Sequence, residues 1–74
     1  MPFTVLDCNR AQLIALKQQY LTQLADVGEY ESATGFDRSE PSWDDLAAAD
    51  EIVPDDVIFD HFDGYVFTDD DFIN

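Results

Sequence analysis

The sequence predicts a mainly α fold, a small three-helix domain over residues 1–74. Short extended segments near both termini either pair as a minimal two-stranded sheet or pack irregularly. Three features point there. Apolar side chains recur at steps of three and four between Leu13 and Val27. Ser42, Pro54 and Thr68 each stand at or just before a run of acids, in SWDD, PDDV and TDDDF, which is the signature of a helix start. The chain also carries ten aromatic residues, Phe 6, Tyr 3 and Trp 1, enough to build a core at a length where one core barely outweighs chain entropy.

Taken in order, Pro2 to Asp7 (PFTVLD) is β-branched and aromatic, and lays Phe3, Val5 and Leu6 on the core as a short strand or an irregular segment. Asn9 is a favoured N-cap with Gln12 three residues on, placed for a reciprocal capping bond. Leu13, Leu16, Tyr20, Leu24 and Val27 then form an apolar stripe widened by Ile14 and Leu21, with Lys17, Gln18, Gln19, Thr22 and Gln23 on the opposite face. With Gly28 as the residue past its end, the first helix spans Arg10 to about Asp26. Residues 28–41, GEYESATGFDRSEP, lack a sustained period and read as a long loop, either a mobile linker or a binding element through Tyr30 and Phe36.

Ser42 and Asp45 make a capping box for a second helix, Trp43 to about Ala49, with Trp43, Leu46 and Ala47 on one side. Ile52 and Val53 link it to a third helix opened by Pro54, Asp55 and Asp56 and running to about Phe62. Val57, Ile58, Phe59, His61 and Phe62 give that helix two apolar sides, to pack between the first helix and the C-terminal segment, and Gly64 ends it. Tyr65 to Phe67 reads as extended, and Thr68 to Asp71 opens a last helical turn ending in Phe72 and Ile73.

Seventeen acids against three bases give a formal charge of −14. A disordered acidic tail would lack the aromatics, so the chain reads as folded and strongly anionic. The charge is lopsided, −2 over residues 1–36 and −12 over residues 37–74. The second half repels nucleic acid and anionic lipid and steers basic surfaces toward itself over about 10 Å at 0.1 M salt.

Most chemistry is disfavoured. One His and one Cys cannot build a zinc site of the usual kind, and an EF-hand counted back from Gly64 puts Phe59 and His61 where acids belong. The glycines are too far apart for a phosphate loop, and there is no basic face for DNA or RNA. Cys8 reads as a small semi-buried thiol and His61 as a packed or half-exposed imidazole. The expectation is a protein without enzymatic activity, cofactor or metal. The start MPFTVLDCNR has neither the basic nor the apolar region of a signal peptide, and no apolar run reaches a membrane span, which predicts a cytoplasmic chain.

What remains is the acidic surface. Asp44, Asp45, Asp50, Glu51, Asp55, Asp56, Asp60, Asp63, Asp69, Asp70 and Asp71, with Phe72, are the candidate partner-binding residues. Carboxylates on helix starts and turns of a compact body would fit a groove lined with Lys and Arg for phosphates, making the chain a DNA or RNA mimic aimed at a protein with a basic, nucleic-acid-binding surface. The runs LxxLKQQYL, SWDDLAAADEIVPDDVIFDHF and GYVFTDDDF resemble a group of small acidic proteins, mostly uncharacterised, from mobile elements and phage-related regions of gut Firmicutes. That resemblance implies a counter-defence inhibitor, anti-restriction or anti-CRISPR, or an accessory factor of element transfer.

Two other expectations compete with mimicry. The tail TDDDFIN is similar to the acidic tail of bacterial single-stranded-DNA-binding proteins, which implies a protein-interaction adaptor working through the acidic-aromatic C-terminal segment. Alternatively, the acids simply keep a small protein soluble and monomeric.

Overall fold

Asn9 opens the longest element of the computed structural model, which describes residues 1–72. Its Oδ1 accepts the Gln12 N–H at 2.9 Å while Gln12 Oε1 accepts the Asn9 N–H at 2.9 Å, so two otherwise orphaned donors are satisfied and helix α1 runs over Arg10–Asp26. Gly28, at φ 74°, reverses the chain. Its N–H donates to Ala25 O and the Glu29 N–H to Leu24 O, the paired bonds of a Schellman ending.

Leu13, Leu16, Leu21 and Leu24 are buried on one face of α1 as the period predicts, and Ile14 and Tyr20 are half-buried beside them. Two positions differ from the sequence reading. Val27 is exposed, because as the C-cap it already follows the reversing chain. Lys17, placed on the polar face by its residue type, is 1% exposed within the buried stripe.

Residues 28–41 are not a plain loop. Helix α2 spans Tyr30–Thr34 and is closed by Gly35 at φ 78°, a left-handed conformation that favours glycine. Tyr30 is fully buried and anchors the segment to α1, with the half-buried Phe36 ring 6.3 Å away.

The single second helix expected from Ser42 is two short ones, α3 over Trp43–Ala47 and α4 over Ala49–Ile52. They break at Ala48, whose backbone leaves the helical region and whose carbonyl accepts the N–H of both Glu51 and Ile52. The Ser42 and Asp45 capping box is present as predicted. Trp43, expected to face inward, is 87% exposed. Asp45 is the residue of α3 that turns inward, and positions two apart on a helix face opposite ways.

Helix α5, Asp55–His61, follows Pro54 and buries Ile58, with Phe62 buried just past its end. It packs on α1 and on a 3-10 turn at Val5–Asp7. Among the described residues there are five α-helices where three were expected.

Of the two alternatives for the terminal segments, a two-stranded sheet or irregular packing, the structure has one antiparallel bridge, with Phe3 and Phe67 exchanging N–H···O bonds of 2.9 and 2.7 Å. Among the described residues there is no strand. The cause is local: Thr4 and Asp7 box the next residues into the 3-10 turn, so the extended run ends after one pairing. Val5 is buried as expected but Leu6 is thrown outward, as are Tyr65 and Val66. The bridge sits in a cluster where Phe67 meets Phe3, Phe62 and Phe72 at ring separations of 6.0, 5.5 and 5.8 Å. A second 3-10 turn, Asp69–Phe72, begins where Asp71 Oδ2 accepts the Thr68 N–H at 2.7 Å. Ile73, expected to end that turn, and Asn74 lie outside the described residues.

Candidate functional site

All three Lys and Arg residues of the chain are tied to aspartates of its second half. Lys17 lies where α1 meets the start of α4 and of α5. Its ammonium donates to Asp55 Oδ1 at 2.6 Å, Asp50 Oδ1 at 2.9 Å and Asp50 O at 3.1 Å, so all three of its protons are used. Two turns earlier, Arg10 forks onto both oxygens of Asp55 at 3.0 and 3.1 Å and reaches Asp50 Oδ1 at 2.9 Å. Four residues from three helices thus form one closed network.

Its electrostatics are mutually supporting. Burial works against the Lys17 charge, yet the hydrogen bonds to Asp55 and Asp50 outweigh it and hold the ammonium above its ordinary pKa. Hydrogen bonds from Arg10 and then Lys17 hold Asp55 well below the carboxylate range, and Lys17 chiefly does the same for Asp50.

The third cation closes the α2–α3 corner. Arg38 forks onto Asp45, Nε to Oδ2 and NH2 to Oδ1, both at 2.6 Å, with its guanidinium carbon 4.6 Å above the Phe36 ring. The Tyr30 hydroxyl donates to Asp45 Oδ2 at 2.7 Å, and the Ser42 N–H adds a bond at 3.2 Å. Arg38 first, then Tyr30 and Ser42, hold the Asp45 carboxyl well below its usual range against the cost of burial. Burial, followed by the bond to Asp45, pushes the Tyr30 phenol up to about 12.

The remaining fourteen acids are all exposed, and among the described residues none of them meets a Lys or Arg. Asp69 comes within 3.8 Å of the Met1 amino group, but both groups are solvent-exposed and the pair is worth little.

The predicted partner-binding set divides accordingly. Asp44, Glu51, Asp56, Asp60, Asp63, Asp69, Asp70 and Asp71 are displayed. Buried Asp45 and partly exposed Asp50 and Asp55 are held in ion pairs within the chain, where their charge is neutralised at contact distance. Phe72 is half-buried, its ring 5.8 Å from both Phe3 and Phe67, and so does not project from the surface.

Two features escaped the sequence reading. Trp43 stands out on the surface directly before Asp44. Between α1 and the α3–α4 corner lies a groove of about 430 Å³ lined by Ile14, Asp44, Ala47, Ala48, Asp50 and Glu51. A smaller apolar pocket of about 240 Å³ lies between α1, α2 and the α4–α5 link, with Leu21, Leu24, Phe36, Val53 and Val57 among its walls.

His61 packs edge-on against Tyr20 and Phe62 and pairs with Gln23 Oε1 at 3.3 Å. The Cys8 thiol is raised above its ordinary pKa by burial and by Asp7, which keeps it protonated. Among the described residues, no group of three or more His, Cys, Asp and Glu side chains is placed to hold a metal ion, and no helix is long and apolar enough to cross a membrane. No protein-family model, curated protein or solved structure matches the chain.

Proposed function

We propose that this is a non-enzymatic acidic protein that binds the basic surface of a nucleic-acid-binding protein by imitating a phosphate backbone, in the setting of a mobile element a counter-defence inhibitor. One observation carries the reading. Every Lys and Arg of the chain is paired with three aspartates, buried Asp45 and partly exposed Asp50 and Asp55, and every other acid is exposed, so an excess of fourteen negative charges faces solvent. A surface needed only for solubility requires a net charge of about 2 to 8 on a small domain. This one is well beyond that.

The long axis of the molecule is 40 Å. One strand of a duplex presents about twelve phosphates over that length, and both strands about twenty-four. The attraction acts at a distance and weakens with salt.

Pull-down from a host lysate at low and moderate salt tests this. The expected captive is a nuclease, Cas effector or other nucleic-acid-binding enzyme, released as salt rises and displaced by added DNA. A captive with no nucleic-acid site would overturn mimicry, and one whose capture Phe72→Ala abolishes would favour the adaptor.

A further inference from the structure

We infer that the groove between α1 and the α3–α4 corner receives an arginine side chain of the basic partner, with Trp43 as an aromatic wall beside it, an inference that rests on the reading above and names its contact point. The groove is lined by apolar side chains, Ile14, Ala47 and Ala48, and by acidic ones, Asp44, Asp50 and Glu51. That division matches a long cationic side chain, whose methylene stem seeks apolar cover while its head stays charged. Asp50 Oδ1 already accepts from Lys17 and Arg10, whereas Asp44 and Glu51 meet no cation among the described residues. Lys17 and Arg10 are held by Asp50 and Asp55 and Arg38 by Asp45, so a cation for Asp44 and Glu51 comes from another molecule.

Trp43 is one helical turn before Ala47 and therefore on the same side of α3 as the groove, and it is 87% exposed. Eight of the ten aromatic side chains are buried or half-buried, which leaves Trp43 and Tyr65 as the exposed rings. An exposed Trp next to a carboxylate, here Asp44, discriminates between cations. The planar guanidinium forks onto carboxylates and stacks on an indole face, and the compact, strongly hydrated ammonium of lysine does neither as well. The chain already holds its own Arg38 in this manner, forked on Asp45 and seated over Phe36.

Hexa-arginine and hexa-lysine peptides, titrated into the full chain by calorimetry at low salt, test the assignment, and the single Trp makes intrinsic fluorescence a direct reporter of contact. The arginine peptide is expected to bind about threefold more tightly than the lysine peptide and to perturb Trp43 emission. Trp43→Ala, which leaves the charge unchanged, should abolish that preference. The pair Asp44→Asn and Glu51→Gln should weaken hexa-arginine more than Asp60→Asn and Asp63→Asn, which remove the same charge away from the groove. Equal affinity for the two peptides, or a preference that survives Trp43→Ala, would overturn the groove while leaving the acidic-surface reading intact. Failure of both peptides to bind would remove that reading too.

Discussion

Replacing Lys17 by Met keeps a long apolar stem in the buried stripe of α1 and deletes the ammonium beneath Asp50 and Asp55. Three hydrogen bonds are lost, and the two carboxylates are left to Arg10, which already contacts both. Removing one member of a fully buried ion pair costs about 3–5 kcal/mol, because the remaining charge is stranded. Here the Asp50 and Asp55 side chains are 40% and 37% exposed, so water and Arg10 recover part of that, and the expected cost is about 2 kcal/mol. In a domain whose whole stability is on the order of 5 kcal/mol, that is a large share. It corresponds to a fall in Tm of about 8–16 °C. Thermal and urea unfolding followed by far-UV circular dichroism measure it, and adding Asp50→Asn and Asp55→Asn to the variant should restore part of the loss. Wild-type or higher stability in Lys17→Met would refute the reasoning, showing that desolvating the ammonium costs more than its three bonds return.

Tyr30→Phe removes one donor from buried Asp45 while Arg38 and Ser42 remain, and should lower stability by about 1–2 kcal/mol in the same unfolding assay. The pH profile should fall at both ends. Asp45, Asp50 and Asp55 have depressed pKa values when folded, so their contribution is present above their unfolded value of 3.8 and is lost as pH drops below it. Tyr30 is raised from 10.0 to about 12, so its contribution is complete below pH 10 and is lost as pH rises from there toward 12, with Lys17 adding to the loss in the same direction. Sodium chloride should raise Tm, since screening relieves repulsion among fourteen exposed acids more than it weakens a few short internal pairs. A Tm that declines steadily with salt would mean that ion pairs dominate.

What could be read from the residues was the local chemistry. The capping boxes at Asn9 and Ser42, the end of α1 at Gly28 and the proline start of α5 depend on residues close in sequence to the backbone they cap, reverse or restrict, and all are present in the structure. Hydrophobic period placed the leucines of α1 correctly but put Lys17 outside, because the acids that make its burial tolerable lie 33 and 38 residues away. The same blindness applies to Asp45: its inward turn depends on Tyr30 and Arg38, which sat in a segment read as a loop. Helix α2 did carry a signal in Gly35, a glycine placed to close a short helix, but it was read as a loop residue. Once Asp45 faces inward, Trp43 faces outward, so a single missed tertiary contact reversed the expected orientation of α3.

For the candidate site, the excess of acid in the second half was legible and its division was not. The candidate partner-binding set took Asp44 and Asp45 together, whereas one is exposed and the other is 4% exposed beneath a guanidinium. Only the three-dimensional pairing shows which charges are available to a partner.

Competition for the partner's DNA tests most directly whether those available charges are what the partner reads. Labelled DNA bound to the captured protein would be followed by fluorescence anisotropy while the chain is added, in parallel with a variant in which Asp44, Glu51, Asp56, Asp60, Asp63, Asp69 and Asp70 are replaced by Asn or Gln. Asp45, Asp50, Asp55 and the turn-capping Asp71 stay in place to preserve the fold. The wild-type chain is predicted to displace the DNA, and the folded variant to lose that ability. Displacement by the neutralised variant at the wild-type concentration would contradict the account.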